Sequence, residues 1–169
     1  LAATGQLVWI GRGALGGRDG RVAIYLREHV RDLLEPPGEP ESMEAVHLAI
    51  LDHLERRGAS FLFELEDTVG RAHPEIDPRA FRDALWDLVW AGCISNDTFA
   101  PLRALASPAP KRTRERARAG ASLASGRWTL VAGLHDPEVS ATERVLARTN
   151  SLLERYGVIS REMVAAERC

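Results

Sequence analysis

Hydrophobic and polar positions alternate near the start of the chain. An apolar run at residues 7–10 precedes a glycine-rich turn, after which Val22, Ile24 and Leu26 recur at every second position. Period-two spacing is typical of a strand with one buried face. The pattern therefore predicts a β-hairpin over residues 6–28 that forms a half-buried ribbon.

The spacing changes after a proline-rich stretch at residues 35–41, which we interpret as a linker because proline blocks helix continuation. Apolar residues then recur at helical spacing from Val46 to Leu54. This spacing predicts a helix that is capped by Ser42 and ends at Gly58.

Two further helices are predicted in the middle of the chain. The second is expected to start at Ser60 and to stop at Gly70. Its predicted inner face consists of Leu62, Leu65 and Val69. The third has Asp77 at the N-cap and Pro78 at the first helical position, where the missing N–H costs nothing. Its predicted buried stripe consists of Phe81, Ala84, Leu85, Leu88 and Val89.

Two strands are predicted beyond the third helix, at residues 94–99 and 126–131, with a long excursion between them at residues 106–125. Three helices followed by a strand, a loop and a strand is the order of a winged helix-turn-helix. The predicted fold class is therefore α+β, built of tandem winged-helix units.

A last pair of helices is predicted near the end of the sequence. The longer helix starts at Ser140 or Thr142 and ends at Gly157, and the shorter one runs from Ser160 to near Glu167. The apolar positions of the longer helix are Val145, Leu146, Leu152 and Leu153.

Short phrases recur at corresponding places in these helices. Residues 54–58 (LERRG) match residues 153–157 (LERYG), and residues 1–7 share their Leu, Gly and aliphatic spacing with residues 88–94. We interpret the chain as the end of one unit, one whole central unit with a basic wing loop, and the first helices of a third. These units are expected at residues 1–34, 42–133 and 134–169. The start at Leu1 rather than Met suggests a fragment.

Composition narrows the classes of function. Hydrophobic residues make up 45% of the 169, which is enough for a sizeable core. The net charge of -2 means that any basic patch must be local. Two cysteines, Cys93 and Cys169, lack CxxC spacing, which argues against structural zinc and disulfides and favours a reducing, cytoplasmic compartment. No membrane span or signal peptide is predicted, since no apolar run approaches the roughly 20 residues needed.

Several separated phrases carry a family resemblance. They occur in order at residues 7–13, 20–25, 84–92, 96–103, 126–128 and 154–157. In these phrases the chain resembles the C-terminal extension of the bacterial Lhr (long helicase-related) DNA helicases. The resemblance covers most of the chain except the linker and the basic loop. It departs at Arg168 and Cys169, where a glycine-rich continuation is expected.

The resemblance implies a superfamily-2 helicase that uses ATP to unwind DNA, with an extension of winged-helix units that can oligomerise. The motor lies outside these residues, so we expect no cofactor here and assign ATP and Mg²⁺ to the parent protein's motor. Family members are also linked to uracil-DNA glycosylase activity in this extension. No position here matches a catalytic aspartate, and we therefore assign no catalytic residue.

The predicted wing loop holds the best candidate for nucleic-acid binding. Five cations stand there against one acid, Glu115, and closely spaced cations can release counterions from DNA without a fixed geometry. The cations are Lys111, Arg112, Arg114, Arg116 and Arg118. The alternative is a solvated spacer.

The third predicted helix offers a second candidate, because Arg79 and Arg82 would face a DNA groove or phosphate chain if it acted as a recognition helix. Asp83 and Asp87 lie near the same outward face and would repel phosphates. A packing role for this helix is therefore the alternative.

Four tryptophans are open to two interpretations. Trp86 and Trp90 lie one helical turn apart, off the main apolar stripe, and would either pack against a neighbouring unit or stack on unpaired bases. Trp9 and Trp128 are expected on a sheet face.

No metal or acid–base site is predicted. His47 and His53 are six residues apart and are expected on different sides of a helix, and the remaining histidines fall in loops or at ends. Neighbouring carboxylates are interpreted as solvated surface. These carboxylates are Glu64, Glu66, Asp67, Asp136 and Glu138.

Three hypotheses remain open. The leading one is an accessory DNA-binding and assembly module of an Lhr-type helicase, with the basic loop and hairpin tips touching DNA. Its expected partners are single-stranded or tailed duplex DNA, the remaining helicase domains, and further copies of the protein. The alternatives are a scaffold for a glycosylase site completed elsewhere and an interaction or oligomerisation module without DNA contact.

Overall fold

The computed structural model describes residues 5–16, 19–38, 40, 42–106 and 124–167, and their fold is α+β. The strands are β1 (Leu7–Gly16), β2 (Asp19–Leu26), β3 (Ser60–Phe61), β4 (Ile94–Asn96) and β5 (Arg127–Leu130). The helices are α1 (Arg27–Leu33), α2 (Ala45–Arg57), α3 (Leu62–Ala72), α4 (Pro78–Trp90), α5 (Ala100–Ala106), α6 (Ala141–Tyr156) and α7 (Arg161–Glu167). A 3₁₀ turn spans Ala132–Leu134. None of the described helices is long and apolar enough to cross a membrane.

The predicted hairpin is confirmed: β1 and β2 pair antiparallel, with Leu7 opposite Leu26. The expectation of a half-buried ribbon is wrong for β2, because Val22, Ile24 and Leu26 are 40%, 58% and 48% exposed. The buried strand is β1 instead. Its successive side chains point into two separate hydrophobic cores. Helix α1, which directly follows β2, was not predicted.

Helix α2 begins later than predicted. Its N-cap is Glu44 rather than Ser42, and the N–H of Glu44 donates to Nδ1 of His47 at 3.0 Å in a reciprocal capping arrangement. The predicted end is confirmed. Gly58 has a φ of 77°, and its N–H donates to the Leu54 carbonyl at 2.9 Å.

The predicted limits of α3 are wrong at both ends, although its predicted inner face is buried as expected. Ser60 is not a cap; it pairs with Trp128 in β3, and its hydroxyl donates to the Gly58 carbonyl and contacts His53 Nε2 at 3.0 Å. The helix runs through Gly70 and ends at Ala72. The start and the buried stripe of α4 are confirmed, with the Asp77 carboxylate accepting from the N–H groups of Arg79 and Ala80.

The second sheet has the order β3-β5-β4, with both neighbours antiparallel to the central β5. The pairing of the two predicted strands is confirmed, and β3 was not predicted. The strand predicted at residues 94–99 stops at Asn96, because the Asn96 side chain accepts from the N–H of Thr98 at 2.9 Å and turns the chain into α5. Helix α5, which follows this turn, was not predicted.

Helices α6 and α7 lie where they were predicted. Ser140 caps α6 in a capping box with Glu143, and Gly157 ends it with a φ of 74°. The apolar positions of α6 differ in burial. Leu152 is buried, but Val145, Leu146 and Leu153 are 61%, 58% and 42% exposed. Helix α6 packs on α1 through a different face, which carries Arg144.

Two hydrophobic cores hold the elements together. The larger joins α2, α3, α4 and the second sheet, and it includes Trp9 of β1. The smaller joins the other face of β1 to α1 and the end of β5 through Val8, Ile10, Val30, Leu34 and Val131. The hairpin therefore belongs physically to both cores, whereas the predicted unit boundaries stay a prediction.

Candidate nucleic-acid interface

The outward face of α4 carries the two arginines singled out from the sequence. Arg79 and Arg82 are exposed, and Arg79 Nε lies 3.7 Å from the Asp83 carboxylate. Hydrogen bonds from the N–H groups of Ala80 and Arg79 lower the pKa of Asp77, so this carboxylate stays ionised near the two arginines. The α4 face therefore presents mixed charge rather than a purely basic surface.

The tryptophan pair on α4 packs inside the protein. The rings of Trp86 and Trp90 stack with centroids 5.3 Å apart, and Trp86 meets Trp128 edge to face at 6.2 Å. Trp90 is only 7% exposed, and its ring lies so close to Gly20 that a Cβ there would overlap it. The pair thus couples α4 to the hairpin and to the second sheet.

The five cations of the predicted wing loop, residues 111–118, lie outside the described residues. Their flanks are described: α5 ends at Ala106 on one side, and Arg127 opens β5 on the other. Arg127 donates to Asp97 through its backbone N–H at 2.8 Å and its Nε at 3.1 Å. This double contact anchors the first residue of β5 to the turn that follows β4.

A polar turn at residues 96–99 organises the same region. The Asn96 side-chain oxygen accepts both from the Thr98 N–H and from the Thr98 hydroxyl, the latter at 3.0 Å. The Thr98 carbonyl in turn accepts from the Trp9 indole N–H at 2.9 Å. A Cβ on Gly126 would collide with these polar side chains, and its φ is 77°. Only glycine fits there without strain.

Sequence reasoning missed Arg144, which is 8% exposed and joins α6 to α1. Its guanidinium donates to the carbonyls of Arg31 at 3.3 Å and Val139 at 3.0 Å, and to those of Leu34 and Asp136. These acceptors include the orphan carbonyls at the end of α1. No sequence signal marked Arg144, because two of its partners, Arg31 and Leu34, lie more than 100 positions earlier in the chain.

Both histidines of α2 are buried, and one carboxylate prediction needs correction. His47 has its Nε2 3.5 Å from Asp87 of α4, whereas His53 is bonded to Ser60 of β3, so the two contact different elements. Asp136 is not fully solvated, since its side chain is 17% exposed and paired with Arg31. Within the described ranges, no group of three histidine, cysteine or acidic side chains could hold a metal ion.

Two curated relatives match nearly the whole chain. The Lhr helicase/uracil glycosylase of Escherichia coli is 35% identical over an alignment 189 positions long, gaps included, which covers 99% of this chain and 12% of the relative. The Lhr helicase/probable uracil glycosylase of Mycolicibacterium smegmatis gives the same identity and coverage. The chain belongs to the Lhr-type helicase family. It spans about an eighth of the length of these relatives, and no family model matches it.

The phrases behind the Lhr resemblance lie at junctions of the fold. Gly11 of β1 approaches α4 so closely that a Cβ would overlap the Val89 carbonyl. The turn at residues 96–99 joins β4, α5, β5 and Trp9. These Lhr-type phrases therefore supply the contacts that join the hairpin, α4 and the second sheet.

Proposed function

We propose that this Lhr-type chain is a nucleic-acid-binding and assembly module from the C-terminal region of an ATP-dependent DNA helicase involved in DNA repair. The match to two Lhr helicases over 99% of the chain carries this proposal. ATP and Mg²⁺ would then act at a motor elsewhere in the parent protein, and the remaining helicase domains would be neighbours of this module.

The order of elements supports a winged-helix interpretation of the central unit. Helix α2, strand β3, helices α3 and α4, strand β4, the short helix α5 and strand β5 follow one another, with β5 between the other two strands in the sheet. In such a unit α4 would take the recognition position, and the segment between β4 and β5 would form the wing. The five cations at residues 111–118 belong to that segment.

The charges favour the wing over α4 as the DNA contact. The exposed part of α4 pairs Arg79 with Asp83 and adds Asp77 and Asp87, which would repel phosphates. The wing segment holds five cations against Glu115 alone. Because phosphate neutralisation supplies most non-specific affinity, the wing would bind with little sequence preference and strong salt dependence.

The test is fluorescence anisotropy with labelled single-stranded, tailed and duplex DNA at two salt concentrations. The first variant changes Lys111, Arg112, Arg114, Arg116 and Arg118 to alanine. The matched control removes the same charge from exposed arginines elsewhere: Arg27, Arg56, Arg57, Arg71 and Arg161. Binding that weakens with salt and is lost only in the first variant supports the proposal. No binding by the folded chain, or equal loss in both variants, rejects the wing as the contact.

The glycosylase scaffold is a second candidate, because both relatives carry uracil glycosylase in their names. The experiment is uracil release from labelled DNA by the longer parent protein, compared with a version that lacks residues 1–169. Loss of release on deletion, with ATP-driven unwinding retained, would support the scaffold role. Unchanged release would reject it.

A further inference from the structure

A groove of about 830 Å³ runs along the outer side of β2. One wall consists of six successive β2 residues, from Arg21 to Leu26. The opposite wall comes from α6 through Arg148, Leu152 and Arg155. A strand that lines a groove with every residue, rather than every second one, presents its edge to that groove.

The edge of β2 has no strand partner within the described residues. Strand β2 pairs with β1 alone, in a two-stranded sheet. In an antiparallel pair, half of the N–H and C=O groups of an outer strand point away from its neighbour. Those groups can accept one more strand, and strand addition at a sheet edge is a recurring mode of peptide recognition.

The side chains beside this edge differ between the two faces of β2. Val22, Ile24 and Leu26 form an exposed apolar row on one face. The other face carries Tyr25, whose hydroxyl accepts from Arg12 at 2.7 Å. An added strand with alternating side chains would therefore meet apolar groups on one face and arginines on the other.

The groove carries an excess of positive charge. Four of its lining residues are arginines, at positions 12, 21, 148 and 155, and two are glutamates, Glu35 and Glu167. Glu35 is shared, with Arg148 at 2.7 Å and Arg12 at 3.7 Å. Arg155 contacts Glu167 at 3.1 Å. The remaining positive charge complements an acidic partner.

The choice of partner follows from what the groove offers. Single-stranded nucleic acid is usually held by stacking on several exposed aromatic rings, and the described lining holds no phenylalanine or tryptophan and one tyrosine, Tyr25, whose hydroxyl is already engaged. A second copy pairing through its own β2 would bring two sets of arginines together. We propose that the β2 edge and this groove bind an extended protein segment in which acidic and apolar residues alternate.

The test uses the full chain and a fluorescein-labelled decapeptide of alternating glutamate and valine. Fluorescence anisotropy should show saturable binding that weakens with salt, and no binding of the corresponding lysine–valine peptide. N-methylation at every second residue, which removes the N–H groups facing one edge, should weaken binding by about tenfold or more. The change Arg21→Glu should weaken it by about tenfold, since it reverses a charge in the groove.

One control and one further variant make the outcome decisive. Arg57→Glu makes the same charge change on an exposed arginine outside the groove and should leave peptide affinity unchanged. Ile24→Ser disrupts the apolar row at a position that is 58% exposed without changing the charge of the groove, and circular dichroism checks that each variant is folded. If Arg21→Glu unfolds the chain, Ile24→Ser must still weaken binding, and failure to do so overturns the proposal.

Three other results would also overturn it. These are equal binding of the N-methylated peptide, equal effects of Arg21→Glu and Arg57→Glu, and displacement of the peptide by a ten-nucleotide oligothymidine whose own binding is lost in Arg21→Glu. The proposal does not depend on the wing. The variant that lacks the five wing cations should keep peptide binding, so the two proposals can fail separately.

Discussion

The indole N–H of Trp9 donates to the backbone carbonyl of Thr98 at 2.9 Å. Trp9 lies on β1 and is completely buried, whereas Thr98 follows β4, 89 positions later. The contact places the hairpin against the turn from which α5 leaves. A second contact supports it, because the Ser95 hydroxyl donates to the Trp9 carbonyl.

Replacing Trp9 with phenylalanine should destabilise the chain by about 2 kcal/mol, since it leaves the Thr98 carbonyl unpaired and opens space in the larger core. Urea unfolding followed by circular dichroism measures this. Trp86→Phe is the matched control, because Trp86 is only partly buried and its indole N–H donates no hydrogen bond to any of the described residues. Equal losses in the two variants would mean that the Thr98 bond contributes nothing specific.

The close approach of β1 to α4 leads to a second prediction. A Cβ at Gly11 would overlap the Val89 carbonyl, so Gly11→Ala should cost about 1–3 kcal/mol through overpacking. Gly16→Ala, in the same strand, meets nothing within 4 Å and should change stability by less than about 0.5 kcal/mol. Denaturant midpoints for both variants test the contrast. Similar midpoints would show that the hairpin shifts to accommodate the methyl group.

Helix limits were predictable wherever one residue decides them. Asp77 and Ser140 accept from N–H groups of their own helices, and Gly58 and Gly157 adopt positive φ, so each signal is local. Ser60 misled because its hydroxyl is used in a tertiary contact with His53. The residue type alone therefore does not distinguish a serine that caps a helix from one whose hydroxyl is bonded elsewhere in the fold.

Burial was less predictable than helix position. Periodicity marks the apolar positions of a helix but does not say which of them a neighbour covers, and in α6 Val145 and Leu146 are exposed whereas Leu152 is buried. The α6 face that does pack is polar at its centre, around Arg144. The groove beside β2 could likewise not be predicted from the sequence, since Arg148 of α6 is far along the chain from Arg12 and Arg21 of the hairpin.

Arg144 should be essential for holding α6 on α1. Changing Arg144 to methionine keeps much of the apolar stem but removes the guanidinium that donates to four backbone carbonyls, at a cost of about 3 kcal/mol. Hydrogen exchange should speed up in α1 and α6 first. Arg161→Met, at an exposed position on α7, is the control. Unchanged exchange in α1 would contradict the linking role.

The Glu35 carboxylate should make the stability of the chain depend on pH in the acid range. A hydrogen bond from Arg148 lowers the pKa of Glu35 from 4.5, and the charges of Arg12 and Arg144 lower it further.

Because the folded-state pKa lies below the unfolded value, the ionised form stabilises the fold above pH 4.5, and this contribution is lost as the pH falls through the folded-state pKa. Glu35→Gln should therefore be less stable than the wild-type chain at pH 7, by a small amount because the side chain is 50% exposed, and equally stable at low pH. Urea midpoints at pH 7 and pH 3 test this against Glu55→Gln, which removes the same charge from α2. A stability gap that stays constant between the two pH values would show that Glu35 acts through packing rather than through its charge.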